Sequence, residues 1–285
     1  MINIAKILLP IDFSTRSVDA ADAAVAVAEH FGSEIALLHV VTPRLPLPLT
    51  TAAQTKVIHS GARIEAEENM NGYRPNQWGN IQVTRVLREG DPARTIVEYA
   101  AEEHVDLIMM PTHGYGPFRR LLIGSTTAKV LHDAKCPVWT AAHSDASPTA
   151  SATPHRIACA VDLGKQSGAV LSWTMGLCRE FGAPLDAIHV ISSLDPRLED
   201  YYLSPEWRAQ LINDAKDEVQ LLMEKAGTDG EIHIEIGPIA AAVADAAERL
   251  QANLLVIGRD SRAGGRLPTN AYAIVRESPC PVLSV

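Results

Sequence analysis

Residues 106–130 read DLIMMPTHGYGPFRRLLIGSTTAKV. Leu107 to Met110 is an apolar run that stops at Pro111, the pattern of a central parallel strand covered on both faces. Gly124, Ser125 and Thr126 then place small side chains and hydroxyls at the start of a helical stretch. There the free N–H groups and the helix dipole favour an anion. Arg119 and Arg120 put positive charge into the intervening loop. Strand, polar loop and helix start together form a phosphate cradle at the carboxyl end of a strand, where open α/β sheets take their ligands. Neither the P-loop pattern nor GxGxxG occurs in this stretch.

Outward from that stretch, strand and helix signals alternate. ILLPIDFSTRS is a strand followed by a helix start, and SVDAADAAVAVAEHFG is an alanine-rich amphipathic helix ending at Phe31-Gly32. EIALLHVV is a second strand, and a charged helix follows over roughly Ala52 to Tyr73. IQVTRVLREG alternates as a third strand. Asp91 caps the next helix, with Pro92 in its first turn. CPVWTAA closes the unit as a fifth strand. This alternation implies right-handed crossovers and a parallel sheet.

The order then repeats. After a small, polar segment from His143 to His155, read as a linker, Asp162, Ser167, Phe181-Gly182 and His189-Val190 follow Asp12, Ser17, Phe31-Gly32 and His39-Val40 at a constant difference of 150. Further on, NLLVIG answers DLIMMP, and Cys280-Pro281-Val282 answers Cys136-Pro137-Val138. The expected domains are 1–142 and 156–285, two copies of one unit joined by the linker 143–155. Each copy has an ordinary domain size.

Composition narrows the partners. A formal net charge of −9 argues against nucleic acid or an anionic membrane as the main partner. No apolar run is long enough to span a bilayer. The opening MINIAKILLPIDFS has only a strand's length of apolar residues and no small-residue cleavage site, so no signal peptide is expected. Cys136, Cys159, Cys178 and Cys280 show neither CxxC nor metal spacing, which points to a reduced, cytoplasmic setting.

Gly114, the nine residues Tyr115 to Ile123, and Gly124-Ser125 fit the phosphate signature of the universal stress protein family, which the chain resembles over nearly its whole length as a tandem pair. Pro111 stands where the signature has its first glycine, and proline removes a backbone donor and fixes φ. The resemblance implies two doubly wound, Rossmann-like domains of the adenine nucleotide alpha hydrolase type, each a five-stranded parallel sheet flanked by helices. It also implies a stress-response role, with ATP and Mg²⁺ as ligands and hydrolysis slow or absent. By resemblance the first-domain site comprises Pro10, Ile11, Asp12, Val41, Met110, Pro111, Thr112, His113, Gly114, Arg120, Gly124, Ser125 and Thr126. In that site Asp12 lies near the adenine and Val41 touches the base. Gly114 and its neighbours line the ribose and phosphates, and Gly124, Ser125 and Thr126 hold the phosphate tail. Asp12 also suits a helix cap or a turn carboxylate. His113 suits a solvated loop group as well as a catalytic one, and no catalytic base–nucleophile pair is recognisable.

The second copy keeps Gly258 but has Ser261 at the second glycine. Counting nine residues, Arg262 to Asn270, sets Ala271-Tyr272 opposite Gly124-Ser125. Tyr272 would crowd a phosphate there and Asp260 adds negative charge, so ATP is expected in the first domain alone. His39 and His189 recur as a shared structural hydrogen bond. Cys136 and Cys280 recur as small buried side chains. The closing strands PVWTA and PVLSV are apolar edge candidates, which invite pairing of the two copies as an intramolecular pseudo-dimer or of two chains as a homodimer. A nucleotide-free interaction protein and a slow ATPase are the other readings of the same fold.

Overall fold

The computed structural model describes residues 2–42, 52–74, 77–112, 123–141, 153–192, 204–259 and 269–285, with only the backbone described at 52–59 and 269. The first half runs β1 (Lys6–Pro10), α1 (Thr15–Phe31), β2 (Glu34–Val41), α2 (Ala52–Gly72), β3 (Val83–Glu89), α3 (Pro92–Glu102), β4 (Leu107–Met110), α4 (Ser125–Asp133) and β5 (Val138–Thr140). The second half repeats this order as β6 (Ile157–Ala160), α5 (Ser167–Phe181), β7 (Leu185–Ser192), α6 (Pro205–Ala226), β8 (Glu231–Gly237), α7 (Ile239–Arg249), β9 (Leu254–Ile257), α8 (Thr269–Glu277) and β10 (Val282–Ser284). By contacts the chain divides into two compact units, one built on Asn3–Arg119 with Gly124–Val138, the other on Trp139–Val285.

Within the first half the strand order is β3-β2-β1-β4-β5, and within the second β8-β7-β6-β9-β10. The expected doubly wound arrangement is therefore present twice, with the order reversing between β1 and β4 and between β6 and β9. The pairs β1–β2, β1–β4 and β2–β3 are parallel, as are β6–β7, β6–β9, β7–β8 and β9–β10. Among the described residues, no helix is long and apolar enough to cross a membrane.

The central strands show why the apolar runs do not alternate. Ile7, Leu8 and Leu9 of β1 and Ile108 of β4 are fully buried because helices cover both faces of the sheet. β3 lies at an edge and has no buried residue; Val83, Val86 and Leu87 are half-buried and the rest exposed, so the strict alternation expected from its sequence is not kept. α1 buries Ala20, Ala21, Ala24, Val27 and Ala28, a stripe at helical spacing whose small side chains let the helix lie close on the sheet. It begins two residues before the stretch the periodicity picks out, because Ser14 caps it by accepting from the Ser17 N–H. It ends at Gly32, whose φ of 68° is left-handed, and α5 ends in the same way at Gly182 with φ 65°.

The start of the central strand is pinned identically in both halves. One carboxylate oxygen of Asp106 accepts from the N–H groups of Ala5 and Lys6, each at 2.9 Å. Asn253 does the same for His155 and Arg156, each at 2.9 Å, and its amide also donates to the Thr153 carbonyl. Residues 153–155, the end of the expected linker, are thus already held to the second sheet.

Cys280 is buried as expected, whereas Cys136 is only half-buried. Burial pushes the thiols of Cys159 and Cys178 up to about 12 and that of Cys280 up to about 11. A thiol that stays protonated is a poor nucleophile. At pH 8 these three should resist an aromatic disulfide reagent in the native chain and react once it is denatured. Rapid native labelling of Cys159, mapped by peptide mass, would contradict their burial.

Candidate functional site

In the first half the crevice lies beyond the carboxyl ends of β1, β2 and β4. Pro10 is the last residue of β1, and the buried Ile11 follows it, donating its N–H to the Leu38 carbonyl at 2.9 Å. His39 Nδ1 donates to the Ile11 carbonyl at 2.8 Å, and His189 Nδ1 donates to the Val161 carbonyl at 2.7 Å. The carbonyl acceptor fixes the proton on Nδ1. The recurring histidine is therefore a structural hydrogen bond in each half, as expected, and it fixes the chain just before Asp12 and Asp162.

Asp12 is a turn carboxylate, and the helix cap is Ser14 instead. Its Oδ1 accepts from the Ser14 N–H at 3.0 Å and from the Ser17 hydroxyl at 2.6 Å. Oδ2 takes neither bond. Burial raises the Asp12 carboxyl, but the hydrogen bonds from Ser14 and Ser17 outweigh it and hold the group below the usual carboxylate value. Asp12 is thus ionised at neutral pH, with one oxygen anchored. Asp162 repeats the geometry, accepting from the Gly164 N–H at 2.8 Å and from the Ser167 hydroxyl. Between each aspartate and its anchor the chain turns through a left-handed residue that is not glycine, Phe13 at φ 62° and Leu163 at φ 58°. Such strain persists only where the surroundings over-determine it. In the first half part of that support is the Phe13 ring, whose centroid is 4.4 Å from that of His39.

β4 ends at Met110, and Pro111 and Thr112 beyond it are buried. The Gly124 N–H donates to the Thr112 carbonyl at 2.8 Å, and the Thr127 hydroxyl to the Pro111 carbonyl at 3.0 Å. These two bonds set the start of α4 beside the end of β4. Gly124 occupies the N-cap without a side-chain cap bond, and Ser125 is exposed in the first turn. With glycine at the N-cap, no side chain at that position caps the first turn of α4. Val41 closes β2 and is tied by the Gly90 N–H to its carbonyl at 3.1 Å. Asp12, Val41, Met110, Pro111, Thr112, Gly124, Ser125 and Thr126 therefore all lie at the carboxyl ends of strands or at the start of α4. His113, Gly114, Arg119 and Arg120 lie outside the described residues.

Ser14, Ser17 and Thr127 were not singled out as site residues by the sequence. The DFSTRS spacing carried the signal, since an aspartate can accept from the backbone N–H two residues on and from a hydroxyl five residues on.

One count is corrected in the second half. The counted Gly-Ser position, Ala271-Tyr272, lies inside the last helix, α8, whose described residues run from Thr269 to Glu277; Leu267-Pro268, which suit its first turn, lie outside the described residues. Cys136 and Cys280 differ by 144, and so do Ser125 and Thr269, whereas Leu107 and Leu254 differ by 147. The connecting loop is thus three residues shorter than in the first half, and the nine-residue spacing does not carry over. Thr269 falls opposite Ser125 and Pro268 opposite Gly124, while Tyr272 falls inside the helix. The crevice of this half is a cavity of about 610 Å³ lined among others by Val161, Asp162, Val190, Ile257, Gly258 and Ala271.

A parallel sheet reversing between its first and fourth strands, with a helix N-terminus beside the fourth, defines a doubly wound, Rossmann-like α/β domain. The universal stress protein family model matches residues 3–141 and again 154–285, and the chain belongs to that family. The universal stress protein MJ0531 of Methanocaldococcus jannaschii is 32% identical over 135 residues, which covers 47% of this chain and 79% of that protein. A universal stress protein of Mycolicibacterium smegmatis is 24% identical over 271 residues, 90% of this chain and 88% of the relative. Among solved structures, a universal stress protein from Archaeoglobus fulgidus superimposes with a TM-score of 0.68 at 22% identity, over 99% of this chain and 96% of the other. That likeness is one of fold.

Proposed function

We propose that the first half binds ATP, with Mg²⁺ on its phosphates, and that the chain acts as a nucleotide-dependent regulatory protein of the cytoplasmic stress response. The observation that carries this reading is the start of α4, uncapped at Gly124 and tied to the end of β4 through Thr112. First-turn N–H groups without a side-chain cap from Gly124, together with the helix dipole there, suit a polyphosphate, and the ionised Asp12 supplies an acceptor at the other end of the crevice. In this reading Gly124, Ser125 and Thr126 hold the phosphate tail, with Arg120 as the countercharge. Thr112, His113 and Gly114 line the ribose, and Pro10, Ile11, Asp12, Val41, Met110 and Pro111 surround the base. The second half, with Pro268 aligned in sequence to Gly124 and an added acidic residue, Asp260, in the same loop sequence, is the structural partner. ATP occupancy then biases any equilibrium whose states bind it unequally.

Pro111 offers a direct test, because it is the one departure from the family signature in this half. Pro111→Gly restores a backbone N–H near the phosphates. A hydrogen bond to a charged group contributes about 1.5–3 kcal/mol, so affinity for Mg-ATP should rise about tenfold or more. The glycine should lower folding stability by about 0.4–1 kcal/mol through the unfolded chain. Calorimetric titration of both proteins reads the first effect and thermal unfolding the second. Absence of binding by either protein would favour the nucleotide-free interaction reading.

A further inference from the structure

Away from its crevice, the second half carries a polar cluster at the amino ends of β6, β7 and β8. Its centre is Asp186 on β7, 1% exposed, at the place Ala36 holds in the first half. A carboxylate buried in a sheet is costly unless its oxygens are partnered. Arg156 supplies two bonds, Nε to Oδ2 at 2.8 Å and Nη2 to Oδ1 at 3.2 Å. His233 Nε2 lies 2.9 Å from Asp186 Oδ1 and 3.8 Å from Glu231 Oε2. One oxygen of each carboxylate and one histidine nitrogen lie within 4.8 Å of one another.

Without an ion the 2.9 Å contact is a hydrogen bond, and a small shift of the side chains would open the group to the spacing of a metal's ligand shell. Zinc bonds of about 2.0–2.2 Å to nitrogen and oxygen place tetrahedral neighbours about 3.3–3.5 Å apart, and the 2.9 and 3.8 Å contacts bracket that spacing. A cavity of about 350 Å³, lined by Asp186, Asp229, Glu231 and Arg156, adjoins the cluster and leaves room for a water in the fourth position. Gly230 makes the approach of the strands feasible. Its φ is 156°, and a Cβ there would stand 2.4 Å from the Leu185 carbonyl oxygen. Any other residue would push Glu231 away from Asp186, its partner in the β7–β8 register.

We propose that Asp186, Glu231 and His233 form a binding site for a divalent transition-metal ion of the zinc class. One imidazole with two carboxylates suits such an ion better than magnesium or calcium, which take oxygen ligands alone. His233 binds it neutral, through Nε2, with its proton on Nδ1. Arg156 keeps its Nε bond to Oδ2 as an outer partner and gives up the longer Nη2 bond to Oδ1, so its charge lowers the affinity of the site.

The test uses the untagged full-length chain, stripped of metal and titrated with Co²⁺ and then Zn²⁺. The expected result is one saturable site per chain, with visible cobalt absorption of nitrogen and oxygen ligands and no thiolate charge-transfer band. Zn²⁺ should raise the melting temperature. His233→Ala should weaken binding by at least about tenfold, since even outer-shell changes cost 10–100-fold. Arg156→Met should tighten it, because a competing cation is removed while the three ligands remain. Absence of saturable binding, a thiolate band, equal affinity in His233→Ala, or unchanged or weaker affinity in Arg156→Met would each overturn the proposal.

Discussion

Ser125→Glu is expected to lower affinity for Mg-ATP by about 10- to 100-fold while leaving the folded chain as stable as before or slightly more so. Both halves of this expectation follow from one location. Ser125 is the first residue of α4 and is exposed, so a longer side chain fits without repacking. A carboxylate in a first turn interacts favourably with the helix dipole by about 0.3–1 kcal/mol. The same carboxylate occupies the N–H groups that the phosphates would use, and repels them. Two like charges about 4 Å apart near a protein surface interact by about 4 kcal/mol before salt screening. Equilibrium dialysis with labelled ATP and a thermal melt read the two effects separately. A stable variant that binds ATP as well as the parent would place the phosphates away from α4.

Ile108→Ala should destabilise the first half by about 2–5 kcal/mol, the cost of deleting a buried Ile side chain and leaving a cavity. Ile108 is fully buried on β4, in register with Leu8 of β1 at the point where the strand order reverses. Its N–H also donates to the Pro137 carbonyl at 3.0 Å, so the residue ties β4 to the start of β5. Loosening β4 loosens Pro111 and Thr112 with it, and ATP affinity should fall as well, by less than in Ser125→Glu. Denaturant unfolding would measure the loss. A change below about 1 kcal/mol would mean that the site stretch does not sit on a central strand.

The two halves have lost opposite ends of one phosphate motif. The first has Pro111 where a glycine belongs and keeps Gly124. The second keeps Gly258 and has Pro268 opposite Gly124. Each proline removes one backbone donor, and the donors removed stand at the two ends of the loop. Tyr272 lies within α8 and not at its start, so its bulk does not fall opposite Ser125.

Strands and repeat were readable in the sequence because both rest on period and register. LIMM and LLVI are too continuously apolar for surface strands, and the constant difference of 150 aligns His39 with His189 before any coordinates are known. The paired histidine bonds follow from that register alone. The count to Ala271-Tyr272 overshot the position opposite Gly124-Ser125 because a spacing within the loop was carried over, and loop length is what varies between copies of a fold. The Cys-Pro-Val register beyond the helix would have placed it correctly. The anchoring of Asp12 by Ser14 and Ser17 was written in local spacing but needed the left-handed Phe13 to become visible. Asp186 was hidden for a different reason. An aspartate among LDAIHVIS reads as a polar interruption, and its partners Arg156 and His233 meet it only through strand pairing.

The most decisive measurement is of the nucleotide carried by the native protein as purified, released by denaturation and quantified per chain. One working site in the first half predicts close to one adenine nucleotide per chain, or, if it is lost in purification, one saturable site on titration with Mg-ATP. Two per chain would contradict the assignment of ATP to the first half alone. None, with no binding on titration, would contradict nucleotide binding altogether.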